Sequence, residues 1–334
     1  MHSTAIVITI AIVILCLTFD FINGFNDTAT AVATTITTRA LKPKTAIILC
    51  AVFNFIGAFT GTAVAKTVGD DIVSHKYMPQ WVLIGVLIAC IIWNIITWYF
   101  GIPSSSSHAL IGSLIGGGIA FNRAFSVVQW GNVFNHVIIW LVLGPATGFV
   151  LGYIIMVALN WILRPLKPRM VNRLFQKLQI IASAFMALNH GGNDAQKSMG
   201  IITLALLSGG FISTFDVPIW VIAACAMAMA LGTSIGGKKI IKTMGSGMAK
   251  LTPVSGFAAQ VGAATSILGA TLFDAPVSTT QVITTTIMGV GASKNIKSVK
   301  WGVAKNIIWT WILTVPLSAI ISGITVEILK LFIV

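Results

Sequence analysis

The chain has 334 residues, of which 56% are hydrophobic and only 9% are charged. A water-soluble fold needs more polar surface than this composition supplies, so the chain is predicted to be an integral membrane protein. Its net charge of +13 does not indicate nucleic-acid binding, because most basic residues are grouped in a few connections between apolar runs.

Ten apolar runs follow one another along the chain and are predicted to cross the membrane as helices. In lipid, the backbone groups of a spanning segment have to be hydrogen-bonded within the segment, which favours helices. The runs lie near residues 4–22, 46–65, 80–100, 104–121 and 133–162, and then near 178–207, 217–236, 252–273, 277–293 and 303–329. The expected fold class is therefore an all-α, polytopic membrane helical bundle.

The basic connections predict which side of the membrane each end of the chain occupies. They cover residues 39–44, 164–177, 238–250 and 294–305. Placing them in the cytoplasm makes all ten runs alternate consistently, with both termini outside a multi-pass protein of the cell membrane. Anionic membrane lipid is expected to associate with these loops.

Three short motifs recur in the second half of the chain, in the same order. Asn26-Asp27 matches Asn193-Asp194, "GTAVAKTVG" from Gly61 matches "GKKIIKTMG" from Gly237, and "PSSSSHALIG" from Pro103 matches "PVSTTQVITT" from Pro276. These matches predict two repeats, residues 1–163 and 178–334, joined by a basic cytoplasmic linker at 164–177. Each repeat holds five runs, an odd number, so the second is expected to enter the membrane in the opposite direction, as in secondary transporters.

Glycine or proline interrupts four of the runs. Gly24 lies in the first run, the pair Gly191-Gly192 lies in the sixth, and Pro103 and Pro276 open the fourth and the ninth. Transporters built from inverted repeats often have helices broken near the membrane midplane, beside the substrate. Broken helices are therefore expected here, and counting half-helices separately would give ten to about twelve membrane segments.

The repeated Asn-Asp motif carries acidic side chains into the predicted spans. A charged side chain near the bilayer centre costs about 2.5 to 3.5 kcal/mol, so Asp27 and Asp194 need compensating partners. Asp and Asn oxygens suit a hard cation, while the Asn amide can also donate to an oxyanion. The candidate ligands of a coupling cation such as sodium are Asp20, Asn26, Asp27, Asn193 and Asp194. Lys197 either contacts an anion or pairs with Asp194, and purely structural bonding between helices is the alternative.

Hydroxyl residues follow each of the two prolines. Proline suits the first turn of a helix, and the hydroxyl and free backbone N–H groups at that end favour an anion. The residues are Ser105, Ser106 and Ser107 in one repeat and Ser278, Thr279 and Thr280 in the other. His108 and Gln281 follow the triplets at matched positions and are further candidate donors. Two such helix ends could enclose one tetrahedral oxyanion, whereas ordinary N-capping is the structural alternative.

Four stretches resemble the inorganic phosphate transporter family, in particular its bacterial low-affinity phosphate permeases. They are "GFNDTATAVATTITTRAL" from Gly24, "GIPSSSSHALIGSLIG" from Gly101, "NHGGNDAQKSMG" from Asn189 and "DAPVSTTQ" from Asp274. The resemblance implies uptake of inorganic phosphate by symport with a cation, in an inverted-repeat fold that is usually a homodimer. It also implies that the Asn-Asp pairs and both hydroxyl triplets form the phosphate and cation site.

The coupling ion stays open at this level. Asn26 stands where proton-coupled bacterial members of the family often have histidine. Sodium and protons are both retained as candidates, and a divalent metal ion could enter together with phosphate. No bound cofactor is expected besides the transported ions.

Other functions compete on the residues alone. A sulfate permease of the same family would handle an anion of the same shape, and a passive anion channel would need no paired acids. A membrane hydrolase is disfavoured because the only hint of a base near a candidate nucleophile is His108, three residues after Ser105, and the sequence has no metal-binding cluster of residues. We therefore expect a transporter and not an enzyme.

Overall fold

The computed structural model describes residues 2–235, 238–246 and 248–333, except for the side chains of 2–4, 28–30, 238–239, 245–246 and 333. Regular structure in these residues is helical, apart from one isolated bridge between Val73 and Val128. The predicted all-α bundle is confirmed.

The first half begins with a very long helix and ends with a second long, continuous helix. Its helices are α1 (His2–Thr37), α2 (Pro43–Gly57), α3 (Ala63–Gly69), α4 (Gln80–Phe100), α5 (Ser106–Asn122), α6 (Trp130–Asn132) and α7 (Ile139–Leu163). A π-helical segment, Val133–Ile138, joins α6 to α7 without a break. One helix therefore runs from Trp130 to Leu163.

The second half has the same order of long and short helices. They are α8 (Pro168–Ser208), α9 (Ile219–Ile235), α10 (Lys238–Ser246), α11 (Pro253–Leu272), α12 (Thr279–Ala292) and α13 (Trp301–Ile333). The packing partners correspond as well: α1 packs on α4 and α9, as α8 packs on α11 and α2. Likewise α5 packs on α13, as α12 packs on α7. The opposite direction of the second repeat stays a prediction.

The predicted linker and the repeat boundaries can be compared with the helices. Helix α8 already begins at Pro168, so most of the predicted linker at 164–177 is the first part of that helix. Gly237, which starts the second copy of one repeated motif, lies outside the described residues. The boundary at Leu163 coincides with the end of α7.

The interruptions of the helices are not at the glycines where we expected them. Helix α1 continues through Gly24, and α8 continues through Gly191 and Gly192. These glycines instead permit close helix contacts: a Cβ at Gly24 would lie 2.3 Å from the carbonyl oxygen of Met229. A Cβ at Gly191 would lie 2.2 Å from the carbonyl oxygen of Asn54. Small residues here bring backbones together, as is common between membrane helices.

The distribution of side chains is that of a membrane protein. Among the described residues, four helices are long and apolar enough to cross a membrane: Ala5–Thr37, Gln80–Phe100, Trp130–Leu163 and Trp301–Phe332. Some of the other predicted runs form shorter helices, such as the largely buried α5 and α12. Trp161 and Leu331 are 83% and 81% exposed, whereas Asp194 and Lys197 are 0% exposed. An apolar exterior around a polar interior fits a lipid environment.

The contact between α2 and α8 can be tested at Gly57. A Cβ there would lie 2.0 Å from the carbonyl oxygen of Leu188. Gly57→Ala should separate the helices and destabilise the protein by about 1 to 3 kcal/mol, as overpacking does. The measurement is the melting temperature of purified protein in detergent. In the control, Gly269→Ala, the new Cβ meets no atom within 4 Å and the melting temperature should not fall. An unchanged Gly57→Ala variant would contradict the close contact.

Candidate functional site

Helices α5 and α12 start near each other in the interior of the bundle. The hydroxyl of Ser105 caps α5 by accepting the N–H of His108 at 3.1 Å. The hydroxyl of Ser278 caps α12 by accepting the N–H of Gln281 at 3.3 Å. N-capping therefore accounts for the first residue of each triplet. The prolines lie two residues before these caps, outside the helices, and not in the first turn as predicted.

The carboxylate of Asp27, on α1, accepts hydroxyl groups from both helix starts. Ser106 Oγ donates to Oδ2 at 3.2 Å, and Thr280 Oγ1 donates to Oδ1 at 2.8 Å. Ser107 Oγ donates to the carbonyl of Val277 at 2.8 Å, which ties the start of α5 to the segment before α12. Asp27 thus joins elements from both halves of the chain.

The carboxylate of Asp194, on α8, lies among more charged groups. Lys197 Nζ hydrogen-bonds to its Oδ1, and His190 Nε2 lies 3.2 Å from its Oδ2. Thr279 Oγ1 and Asn23 Nδ2 donate to the same Oδ2 at 3.3 and 3.4 Å. Of the two roles that the sequence left open for Lys197, the structure shows the pairing with Asp194.

The two Asp side chains and one histidine bring potential ligand atoms close together. One ligand atom from each of Asp27, His190 and Asp194 lies within 4.8 Å of the other two. Nearby amide oxygens are buried and have no hydrogen-bond partner in the described part of the chain: those of Asn23, Asn26 and Asn193. Buried oxygens without donors cost free energy and are suitable ligands for a hard cation. The oxygens of this set therefore suit a hard cation such as sodium, whereas the imidazole of His190 is a ligand more typical of transition metals.

The asparagines of the motif use their amide N–H groups to contact other segments. Asn26 Nδ2 donates to the carbonyl of Asn94 at 3.3 Å. Asn193 Nδ2 donates to Thr271 Oγ1 at 2.9 Å and to the carbonyl of Ala275 at 3.1 Å. These bonds orient each amide and leave its oxygen available to a ligand.

The other predicted site residues contact different partners. Gln281 Nε2 lies 3.1 Å from His108 Nδ1, so this pair links α5 to α12. Asp20 Oδ1 accepts the hydroxyl of Ser198 at 2.5 Å, and Asp20 is not in the group that Asp27, His190 and Asp194 form. Contact of His108 and Gln281 with an anion, and of Asp20 with a cation, stay predictions.

Two residues of the site received little weight from the sequence: Asn23 and His190. The offset that aligns the two Asn-Asp pairs also aligns Asn23 with His190, each one helical turn before its Asp. Residues four apart share a helix face, so extending the repeat by one turn would have identified both. Asn54, whose Oδ1 lies 3.1 Å from His190 Nδ1, carries no comparable signal.

The site is closed off from its surroundings. None of the side chains predicted to bind substrate or cation is more than 7% exposed. A small cavity adjoins the first Asp; its lining residues are Asn26, Asp27, Asn94, Thr97, Ile102, Pro103, Ser104, Ser106 and Ile240. An ion can reach these groups only when parts of the bundle move.

Comparison with known proteins gives a consistent result over almost the whole chain. Residues 23–322 match a family described as the phosphate transporter family. A relative from Bacillus subtilis (strain 168), described as a probable low-affinity inorganic phosphate transporter, is 48% identical over 98% of each chain. A relative from Rhizobium meliloti (strain 1021) with the same description is 42% identical over 96% of each. A solved structure described as the sodium-dependent phosphate transporter shares the fold, with a TM-score of 0.85, 24% identity, and coverage of 97% of this chain and 99% of that one.

The hydroxyl of Thr280 provides a test of the geometry around Asp27. Thr280→Val keeps the shape of the side chain and removes its donation to the carboxylate. Because a hydrogen bond to a charged group contributes about 1.5 to 3 kcal/mol, the variant should melt at a lower temperature. Thr325→Val is the matched control, since the hydroxyl of Thr325 bonds, within the described part of the chain, only to the carbonyl of Ile321 in its own helix. Equal melting temperatures for the two variants would argue against the contact with Asp27.

Proposed function

Because the chain belongs to the phosphate transporter family, we propose that it imports inorganic phosphate across the cell membrane by symport with sodium ions or protons. The family and its curated relatives are transporters, so the chain is not an enzyme. One observation carries the proposal: hydroxyl groups at the starts of α5 and α12 meet the carboxylates of Asp27 and Asp194 inside the protein. In this proposal the hydroxyl groups bind the anion and the carboxylates bind the cation, and the two kinds of group are adjacent.

Phosphate binds, in this proposal, at the starts of α5 and α12. The first N–H groups of a helix have no partner within the helix and lie at the positive end of its dipole. Hydroxyl groups at the same ends provide further donors to a tetrahedral oxyanion. The proposed substrate residues are Asn26, Asp27, Ser105, Ser106, Ser107, His108, Asn193, Asp194, Ser278, Thr279, Thr280 and Gln281.

A cation is required for two physical reasons. The carboxylates of Asp27 and Asp194 repel phosphate, and a negative cell interior opposes anion entry by about 2.3 kcal/mol per charge per 100 mV. A sodium ion held by Asp27 and the asparagine oxygens would offset both effects. The solved structure that shares this fold is described as a sodium-dependent phosphate transporter, and this likeness favours sodium as the coupling ion in the proposal. A proton would instead be carried by an Asp carboxylate or by His108.

The arrangement of the halves supports transport by alternating access. The matched helix order and packing are what two repeats would produce, and the site lies where elements of both halves meet. In the proposal the second repeat is inverted, the basic connections face the cytoplasm, and both termini lie outside. The protein is proposed to work as a homodimer. Rocking of one part of the bundle against the other would open the buried site to each side in turn.

Uptake into proteoliposomes tests the function directly. Purified protein should accumulate radiolabelled phosphate under an inward sodium gradient or an inward proton gradient, compared at the same voltage. If only the sodium gradient accelerates phosphate uptake, the oxygens of the Asn-Asp pairs are the sodium ligands. If the proton gradient accelerates uptake and a divalent metal ion is needed, the substrate is a metal phosphate complex. Arsenate should compete and sulfate should not. Absence of accumulation under both gradients would overturn the proposal.

The acidic residues of the motif provide a second test. Asp27→Asn and Asp194→Asn each keep the size of the side chain and remove its negative charge, so coupled accumulation of phosphate should be lost. The variants should still elute from gel filtration as folded protein. Asp216→Asn is the control, because this exposed carboxylate bonds only to Thr214 among the described contacts and should retain transport. Normal accumulation by Asp27→Asn or Asp194→Asn would show that the charge is not needed.

A further inference from the structure

The proposed function gives no role to the buried charge of Lys197. This side chain lies in the interior part of α8 and is 0% exposed. Its Nζ bonds to Asp194 Oδ1 and lies 3.3 Å from the carbonyl oxygen of Val277. A buried ammonium group is strongly unfavourable unless it is paired, so this pairing is a requirement of the fold.

The partners of Lys197 Nζ are the kind of oxygens that coordinate a metal ion. A carboxylate oxygen and a backbone carbonyl oxygen are typical ligands of hard cations. The carbonyl of Val277 immediately precedes the cap of α12 and also accepts the hydroxyl of Ser107. The ammonium group therefore occupies a position, beside the start of α12, where two oxygens of the kind that coordinate a small cation meet.

The two repeats differ at this position. The offset that aligns Asp27 with Asp194 aligns Thr30 with Lys197. The side chain of Thr30 lies outside the described residues, but threonine carries no charge. The sequence therefore supplies a fixed positive charge to one motif and not to the other.

We propose that Lys197 Nζ is a built-in counter-cation that takes the place of one coupling ion at Asp194. Exchangeable cations then bind on the Asp27 side, and the fixed charge stays behind when phosphate leaves. Each transport cycle consequently moves one cation fewer than a cycle with mobile ions at both motifs. This consequence for transport depends on the proposed function, whereas the effect on cation binding can be measured without it.

Replacement of the lysine should create a cation site. Lys197→Met keeps most of the side-chain volume but leaves Asp194 without its ammonium partner, so sodium from solution should fill the position. Ligand binding to the folded state raises the melting temperature. The melting temperature of each purified protein is measured in sodium chloride and in choline chloride at the same ionic strength. The increase in sodium chloride should be larger for Lys197→Met than for the unmodified protein.

Two further variants separate charge from shape. Lys197→Arg keeps the positive charge and should show no additional stabilisation by sodium. The double variant Asp194→Asn with Lys197→Met lacks both charges and should lose the additional stabilisation seen in Lys197→Met. If Lys197→Met does not fold, Lys197→Gln replaces it in the same comparison. Equal responses to sodium in the unmodified protein and in both neutral variants would overturn the inference.

Transport measurements give an independent readout. Phosphate uptake by Lys197→Met should be minimal in choline and recover with sodium. The apparent Hill coefficient for sodium should exceed that of the unmodified protein, by at most one. If no cation restores phosphate uptake by Lys197→Met, and sodium does not raise the melting temperature of this variant, then Lys197 contacts phosphate directly. If the unmodified protein itself transports no phosphate, the proposed function fails, and the melting comparison still decides whether Lys197 occupies a cation position.

Discussion

Two carboxylates, Asp27 and Asp194, lie in the interior of a bundle whose exterior is apolar, and the site is organised around compensating them. An ionised carboxylate in such a place is stable only with donors or positive charge close by. The hydroxyls of Ser106 and Thr280 supply donors to one, and the ammonium of Lys197 supplies charge to the other. The same requirement gathers hydrogen-bond donors and a positive charge around both carboxylates.

The long and short helices have different parts in meeting that requirement. Helices α1 and α8 carry the acidic residues and remain continuous, with glycines that allow other backbones to come close. Helices α5 and α12 begin beside the carboxylates, and hydroxyl groups of their buried first turns donate to them. Because the capping serines hold these first turns, the donors are fixed before a ligand arrives, which reduces the ordering that binding would otherwise demand.

The two motifs are related but electrostatically unequal. The residue one turn before the Asp is Asn23 in one half and His190 in the other, and Lys197 corresponds to an uncharged threonine. Both Asn23 and His190 nevertheless approach Asp194, so the side chains of the two halves are shared in one site. Side chains from matching motifs in the two halves therefore surround a single centre with an asymmetric distribution of charge.

The sequence by itself determined the membrane class, the all-helical fold and the set of motif residues, because these follow from composition and from residues close together in the chain. It did not determine the continuity of α1 and α8, since a glycine that breaks a helix and one that lets two helices touch look alike in a sequence. Only the tertiary structure decided which hydroxyl meets which carboxylate: Thr280 and Asp27 are separated by 253 residues. It likewise decided that Lys197 pairs with Asp194 and the carbonyl of Val277. Every residue has a backbone carbonyl, so the sequence does not show which carbonyl packing brings close to a given side chain.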